Sequence, residues 1–163
     1  LNDEKEIAEH NMLVDLHRND IGRVSQFGSV QVRALMNIKK FAFVQHIESE
    51  ISGLLAKGED MFTALRALFP GGVLSGAPKI ATIKIIEDNE PEARGPYGGA
   101  LGVFGFNGDA TFAIPIRTLF VDGEYAYTQT CSGIVYDSNP EKEYDEIERK
   151  LAGMKRTLER VSK

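Results

Sequence analysis

Four glutamates occur in two pairs with the same spacing near the two ends of the chain. Glu143 and Glu146 lie three residues apart shortly after Pro140, and Glu6 and Glu9 repeat that spacing near the start. Side chains three residues apart on a helix face the same way, so each pair would present two carboxylates together. Carboxylate oxygens are suitable ligands for a hard divalent cation such as Mg²⁺. Solvated glutamates on exposed helices have the same spacing, so the pattern alone does not decide between the two interpretations.

The residues around each pair predict the helix that the pair needs. Ser138 or Asn139 can cap the C-terminal helix, and proline suits its first turn. Apolar residues then recur at three- and four-residue steps, which predicts one apolar stripe: Tyr144, Ile147, Leu151, Met154, Leu158 and Val161. The N-terminal run has the apolar members Ile7, Leu13, Val14 and Leu16, and it ends at Asn19-Asp20-Ile21-Gly22.

The rest of the chain predicts further helices and an antiparallel sheet. Helices are expected over 59–69 and from about 75 to 89, and strands over 30–32, 40–51, 100–106, 110–120 and 124–130. The last three strands are separated by Asn107-Gly108 and Asp122-Gly123, which are strong hairpin signals. We therefore predict an α+β fold in which an antiparallel meander packs against helices, as a single domain over 1–163.

Composition excludes several classes of protein. The 163 residues are 42% hydrophobic and 26% charged, as in an ordinary globular domain. The net charge of −5 argues against nucleic acid or an anionic membrane as the main partner. The single cysteine, Cys131, excludes an internal disulfide and fits a reducing compartment. With no membrane-length apolar run and no signal peptide, we expect a cytoplasmic protein. Because the chain opens on Leu1, we also expect a fragment of something longer.

Six further residues could carry chemistry. Arg117 falls within a predicted apolar strand, where it either pairs with an internal carboxylate or binds a substrate carboxylate. His46, also on a predicted strand, is either structural or an acid, base or ligand. Tyr97 between glycines either packs or directs its hydroxyl into a pocket. Ser132-Gly133 offers backbone N–H groups to an anion, and Lys150 is placed to pair with Glu146 one turn before it.

Several motifs in a fixed order resemble those of the chorismate-utilising enzymes. The resemblance runs from end to end of the chain. The chain is similar to the C-terminal part of anthranilate synthase component I, or of its sister, aminodeoxychorismate synthase component I. It implies that the chain forms about half of a chorismate-binding catalytic domain. The motifs are the run from Lys5 to Val24, Phe69-Pro70-Gly71-Gly72, Ser75-Gly76-Ala77-Pro78-Lys79, Arg94-Gly95-Pro96-Tyr97-Gly98-Gly99-Ala100, Ile116-Arg117-Thr118, and Gly133-Ile134-Val135 with Asp137-Ser138.

The resemblance implies a role for both glutamate pairs. Glu9 and Glu146 match residues that bind Mg²⁺ in this family, and Glu6 and Glu143 complete the acidic shell, partly through water. The metal would in turn hold the ring carboxylate of chorismate.

The resemblance also implies substrate-binding and catalytic residues. Tyr97 and Arg117 match residues that hold the enolpyruvyl carboxylate, and the backbone N–H of Gly133 assists them. Lys150 matches a lysine near the carboxylates, and His46 matches a histidine beside the ring and its departing C4 hydroxyl. The implied reaction is that of a lyase in tryptophan biosynthesis. Ammonia, from a glutamine amidotransferase subunit (component II), adds with loss of the C4 hydroxyl, and pyruvate is eliminated to give anthranilate. The sister enzyme of the folate pathway would stop at aminodeoxychorismate.

Two positions depart from the family pattern. Val73 stands where many relatives have threonine, and Cys131 stands where relatives carry glycine, in the loop Cys131-Ser132-Gly133 that would bind the carboxylate. A side chain at Cys131 would crowd that site. An alternative of another class is a non-catalytic interaction module, in which the meander is an assembly surface and the acidic helices are solvated. The sequence leaves open the choice between sister enzymes and the oligomeric state.

The resemblance generates one prediction about the 163 residues alone. Family members are much longer, and their preceding part supplies further substrate contacts. We predict that the isolated chain binds chorismate weakly and turns over little, because much of the pocket wall is missing. Equilibrium dialysis with the isolated chain tests this, and binding in the micromolar range would refute it.

Overall fold

The structure, a computed structural model, describes residues 4–40 and 45–161, except for the side chains of residues 4–6, 45 and 161. Among these residues the strands form three two-stranded sheets, which pair Gln31–Lys40 with Gln45–Ser52 (β1–β2), Leu101–Phe104 with Ala110–Ala113 (β3–β4) and Phe120–Asp122 with Tyr125–Tyr127 (β5–β6). The predicted α+β class is confirmed. The elements are α1 (Glu4–Gly22), β1 (Gln31–Lys40), β2 (Gln45–Ser52), α2 (Met61–Leu68), α3 (Gly72–Ser75), α4 (Lys79–Asn89), β3 (Leu101–Phe104), β4 (Ala110–Ala113), β5 (Phe120–Asp122), β6 (Tyr125–Tyr127) and α5 (Pro140–Val161).

The chain divides into two compact units. Unit 1 comprises Leu1–Val73 and Val103–Thr111, and unit 2 comprises Leu74–Gly102 and Phe112–Lys163. The single domain expected from the sequence stays a prediction.

In unit 1, α1 packs beside the β1–β2 hairpin. The Nε2 atom of His10 on α1 lies 2.7 Å from the Oγ atom of Ser49 on β2. Val14, on the predicted apolar face of α1, is buried at 8% exposure. A Cβ atom at Gly72 would lie 3.2 Å from the Leu16 side chain, so glycine permits a close approach there. These contacts fix the orientation of the helix that carries the first glutamate pair.

The helices were well predicted because their ends carry explicit signals. Asp60 caps α2 with bonds of 2.9 Å from the backbone N–H groups of Phe62 and Thr63, in a capping box. At α5, Asn139 is the residue that caps, since its side-chain oxygen accepts from the Lys142 N–H at 3.0 Å. The short helix α3 was not predicted.

The predicted strands were partly wrong. The run over 110–120 is two strands, because β4 ends at Ala113 and β5 starts only at Phe120. Pro115, between them, has no N–H to donate to a ladder, and Arg117 turns the chain with a φ of 49°. The run over 40–51 is also divided, since Lys40 belongs to β1 and β2 starts at Gln45. Phe41 and Phe43, on which that strand prediction relied, lie outside the described residues.

The predicted apolar stripe of α5 is confirmed at its middle members. Met154 is buried at 9% exposure, the Oγ1 atom of Thr128 lies 2.7 Å from its sulfur, and Ile147, Leu151 and Leu158 are half-buried. The side chain of Val161 lies outside the described residues. The prediction was wrong for Tyr144, which is 63% exposed, whereas Glu143, one residue before it, is buried. The periodicity therefore placed the start of the stripe one residue too late.

Few apolar side chains are buried in the part of the chain that the structure describes. The buried apolar residues there are Val14, Ala67, Tyr97 and Met154, whereas Phe27, Phe106 and Tyr136 are fully exposed. Searching the same described residues finds no helix both long and apolar enough to cross a membrane.

Met154 gives a direct test of the α5 packing. We predict that Met154→Ala lowers the free energy of unfolding by about 2–5 kcal/mol, because a buried side chain is removed and a cavity remains. Urea unfolding measures the change. Arg156→Ala, at an exposed position on the same helix, is the matched control and should change stability by less than about 0.5 kcal/mol. Equal effects of the two substitutions would contradict the burial of Met154.

Candidate active site

Tyr97 is a buried candidate site residue that lies in the loop before β3. It is 5% exposed, and the adjacent Gly98 N–H donates to the Pro115 carbonyl at 3.3 Å. Gly98 has a φ of 75°, a conformation that favours glycine, and a Cβ atom there would lie 3.0 Å from the Leu74 side chain. The glycine that follows the tyrosine therefore allows the loop to turn where it packs.

Arg94 holds the ring of Tyr97 and was not singled out from the sequence. Its Nε atom donates to the two oxygens of the Glu90 carboxylate at 3.0 and 2.9 Å, and its Nη2 atom donates to Oε1 at 2.5 Å. The Nη1 atom donates to the Leu74 carbonyl at 2.8 Å. The guanidinium carbon lies 5.7 Å from the centre of the Tyr97 ring, within the range of a cation–π contact. The Glu-x-x-x-Arg spacing could have indicated the ion pair.

The hydroxyl of Tyr97 contacts the loop after β6. It donates to the Sγ atom of Cys131 at 3.2 Å, and the Thr130 side chain hydrogen-bonds the same hydroxyl. Burial raises the pKa of Tyr97 well above its ordinary value, and the hydrogen bond to Cys131 adds to the rise. The phenol is therefore neutral and remains a hydrogen-bond donor at physiological pH. Hydrogen bonding to Glu90 is the largest cause that raises the pKa of Arg94, which keeps its positive charge beside the ring.

Cys131 also connects the loop to α5. Its carbonyl oxygen accepts from the Lys150 Nζ atom at 3.1 Å. The same Nζ atom lies 2.5 Å from Glu146 Oε1, one turn away, as the sequence predicted. Tyr97, Cys131, Lys150 and Glu146 thus form one continuous set of contacts within unit 2.

The second glutamate of α5 is also tied to this loop. Glu143 is 5% exposed, and its carboxylate accepts a hydrogen bond from the Ser132 hydroxyl. A buried carboxylate is costly unless it is hydrogen-bonded, so this contact is needed for Glu143 to lie where it does. Glu146, by contrast, has a side chain that is 41% exposed. The two carboxylates therefore share a helix face but have different surroundings.

Two other predicted residues of unit 2 lie away from regular structure. Arg117 was expected within a strand but lies exposed in the bend between β4 and β5. Gly133 was expected at the end of a strand, but β6 ends at Tyr127, and Gly133 is exposed in the following loop.

The remaining predicted residues belong to unit 1. Glu9 is partly buried on α1, and the side chain of Glu6 lies outside the description. His46 lies on β2 opposite Lys39. The sharing of one ion by Glu9 and Glu146 stays a prediction, because the two residues belong to different units.

The α5 glutamates fit a hard cation by their chemistry. Mg²⁺ in proteins usually takes only one or two carboxylates and completes its shell with water and substrate oxygens. Glu146 is exposed enough to offer an oxygen, and Glu143 lies one turn before it. Among the described residues, no group of three or more histidine, cysteine, aspartate or glutamate side chains is gathered to hold a metal. Unit 2 thus contains a donor pair of the right kind rather than a complete metal cage.

Comparison with known proteins shows the family of the chain. The sequence profile described as chorismate binding enzyme matches residues 1–156. The chain belongs to the chorismate-binding enzyme family.

Relatives within this chorismate-binding family are similar over almost the whole chain. The anthranilate synthase component 1 of Leptospira biflexa is 56% identical over 161 residues, which cover 98% of this chain and 35% of the relative. The aminodeoxychorismate synthase component 1 of Bacillus subtilis is 49% identical over 159 residues, covering 98% of this chain and 34% of the relative. The crystal structure of anthranilate synthase component I from Streptococcus pneumoniae TIGR4 has 47% identity and a TM-score of 0.86, covering 91% of this chain and 34% of that one. The chain therefore spans about a third of the length of these relatives.

Tyr97 should be recognisable by its ionisation. The other four tyrosines are exposed, namely Tyr125, Tyr127, Tyr136 and Tyr144. Because folding raises the pKa of Tyr97, its contribution to stability is complete below the unfolded pKa of about 10 and is lost as pH rises from there through the folded pKa. We predict that Tyr97 ionises in the folded protein only well above the ordinary tyrosine pKa of about 10, or on unfolding.

Ultraviolet absorbance of phenolate during an alkaline titration measures this. Tyr97→Phe should remove the step at high pH, and Tyr125→Phe, the control at an exposed position, should leave that step in place. A titration curve that Tyr97→Phe leaves unchanged at high pH would contradict the burial of Tyr97.

Proposed function

We propose that this chain forms part of a Mg²⁺-dependent lyase that aminates chorismate and eliminates pyruvate to give anthranilate, in tryptophan biosynthesis. The observation that carries the proposal is the set of contacts from Tyr97 through Cys131 and Lys150 to Glu146. It joins a neutral hydrogen-bond donor, a cation and a carboxylate that suits a metal, in a member of the chorismate-binding family.

The substrate carries two carboxylates, whereas the chain has a net charge of −5. Local positive charge and hydrogen-bond donors must therefore hold it. We assign Tyr97 and Arg117 to the enolpyruvyl carboxylate, with the loop Cys131-Ser132-Gly133 offering backbone N–H groups. Lys150 lies on the other side of Cys131 and contributes positive charge beside the carboxylates.

We assign Glu9 and Glu146 as the residues that would hold Mg²⁺, with Glu6 and Glu143 acting partly through water. When bound, the ion would act as a Lewis acid that stabilises negative charge on the substrate. Glu146 already has a cation, Lys150, at 2.5 Å. The lysine and the metal would therefore balance the same carboxylate.

We assign His46 to the departure of the C4 hydroxyl. A histidine side chain can act as a general acid toward a leaving oxygen. Ammonia then adds to the ring. We propose that a glutamine amidotransferase subunit supplies the ammonia, by analogy with the numbered components in the names of the relatives, and that the enzyme works in the cytoplasm.

The complete catalytic protein would include further polypeptide. The relatives are about three times as long as the segment that matches, and few apolar residues are buried among those that the structure describes. Exposed residues of both strands of the β3–β4 hairpin and of the loop after β6 would pack against that additional part. This explains why we expect weak substrate binding by the 163 residues alone.

A second candidate is aminodeoxychorismate synthase component I. The Bacillus subtilis relative of that name is 49% identical over 159 residues. The two candidates share the amination step and differ in whether pyruvate is eliminated, so the identity of the product distinguishes them.

A chimaera tests the proposal. The 163 residues replace the matching third of the Leptospira biflexa relative, and product is measured with chorismate, Mg²⁺ and ammonia. We predict the formation of fluorescent anthranilate. Glu146→Gln should lower kcat/KM by at least the roughly 10–100-fold that loss of a metal-supporting residue costs, with a weaker response to added Mg²⁺.

The matched control is Glu148→Gln on the same helix. Glu148 pairs with Lys155 at 2.7 Å and has no part in the proposed site, so activity should be unchanged. Aminodeoxychorismate as the product would favour the second candidate. A folded chimaera without product would contradict both enzymes and favour a non-catalytic module.

A further inference from the structure

The Tyr97 hydroxyl already has hydrogen-bond partners within the chain. Its single hydrogen is donated to Cys131 Sγ at 3.2 Å, and the Thr130 side chain bonds the same oxygen. The residue is only 5% exposed. A substrate carboxylate that accepts from this hydroxyl must therefore displace an existing acceptor.

Sulfur is a poor acceptor, and this makes the displacement easy. A thioether or thiol accepts hydrogen bonds only weakly. A carboxylate accepts a charge-assisted hydrogen bond that is roughly twice as strong as a neutral one. Exchange of sulfur for a carboxylate oxygen is therefore favourable, while the thiol keeps the buried hydroxyl from being left without a partner.

Both partners of this contact are held independently of it. The Tyr97 ring is fixed by Arg94, whose guanidinium also bonds Glu90 and the Leu74 carbonyl. Cys131 is fixed through its carbonyl by Lys150. The ring and the loop therefore have anchors that the exchange leaves in place, while the O–H bond rotates toward the incoming carboxylate oxygen.

We propose that Cys131 is a positioning residue whose thiol accepts the Tyr97 hydrogen in the absence of substrate and gives it up to the substrate carboxylate on binding. This rests on the proposed function, which assigns Tyr97 to that carboxylate. Cys131 acts through Tyr97 and sets the affinity for substrate by how strongly it competes for one hydrogen.

The proposal predicts that affinity and stability change in opposite directions. Cys131→Ala removes the competing acceptor, so chorismate should bind about fivefold more tightly, the equivalent of one ordinary hydrogen bond. The same change should lower the melting temperature, because the buried hydroxyl loses a partner. Cys131→Ser provides a better acceptor, so it should weaken chorismate binding and preserve the melting temperature.

The variants are compared in the chimaera by chorismate affinity and by thermal unfolding. Thr130→Val combined with Cys131→Ala also removes the Thr130 hydroxyl, the second oxygen to which the Tyr97 hydrogen could turn. This double variant should show the largest gain in chorismate affinity and the largest drop in melting temperature. Thr157→Val, on the exposed side of α5, is the control and should change neither quantity.

A spectroscopic measurement tests the contact without any activity. Cys131 is the single cysteine of the chain, so the S–H stretching band in a Raman spectrum reports on it alone. Tyr97→Phe in the 163-residue chain should shift that band, and chorismate bound to the wild-type chimaera should shift its Cys131 band in the same direction. For this arm the chimaera carries serine at any cysteine outside the 163 residues.

The outcomes separate this proposal from the proposed function. Tighter binding by Cys131→Ala together with a lower melting temperature supports the exchange. Weaker binding by Cys131→Ala, or a band that Tyr97→Phe leaves unmoved, overturns it even if the chimaera makes anthranilate. A wild-type chimaera that binds no chorismate overturns the proposed function and the exchange with it, and an observed Tyr97→Phe shift would then show the contact alone.

Discussion

The hydrogen bond from the Lys150 Nζ atom to the Cys131 carbonyl is the interaction on which the rest of the unit 2 site depends. The segment between β6 and α5 has no strand ladder, so its backbone groups need partners elsewhere. Lys150 provides one at 3.1 Å from a rigid helix of 22 residues. Because Cys131 and Ser132 are adjacent, the same anchor sets where the thiol meets Tyr97 and where the hydroxyl meets Glu143. The contact of Ser132 with Glu143 is a second link from this loop to α5.

The same helix also separates the two carboxylates by environment. Glu143 is buried and satisfied by a neutral hydroxyl, whereas Glu146 is partly exposed and balanced by a lysine one turn later. An exposed, charge-balanced carboxylate can exchange its cation partner, and a buried one resists rearrangement because any unpaired state is costly. Under the proposed assignment, Glu146 would be the residue that meets a metal directly. Glu143 supports the loop through the Ser132 hydroxyl.

The sequence predicted the elements whose ends carry local chemistry and missed those decided by distant contacts. Asp60 and Asn139 are capping residues that can be identified from sequence, and both helices were predicted. The prediction of one strand over 110–120 was wrong because it followed the hydrophobic alternation, whereas Pro115 interrupts the strand. Of the site, the ion pair of Lys150 and Glu146 follows from helical spacing. Thr130 could not be placed beside Tyr97 from spacing, since that contact joins two loops. Arg94 lies three residues before Tyr97 in one turn, where no helical period fixes which side chains meet.

The burial of Tyr97 and the exposure of Arg117 indicate which parts of the proposed site are formed in advance. Tyr97 is held on its ring by Arg94 and at its hydroxyl by Cys131, and its burial gives it little freedom to move. Arg117 lies exposed in a bend between two strands of four and three residues. Strand pairs this short are marginal by themselves and need packing on a face to become rigid. A charged fork that binds a carboxylate must be positioned accurately to gain from its two parallel bonds. Under the proposed assignment, the hydroxyl of Tyr97 would therefore be the preorganised part of carboxylate recognition. Arg117 would be the part whose geometry depends on what packs against the β4–β5 connection.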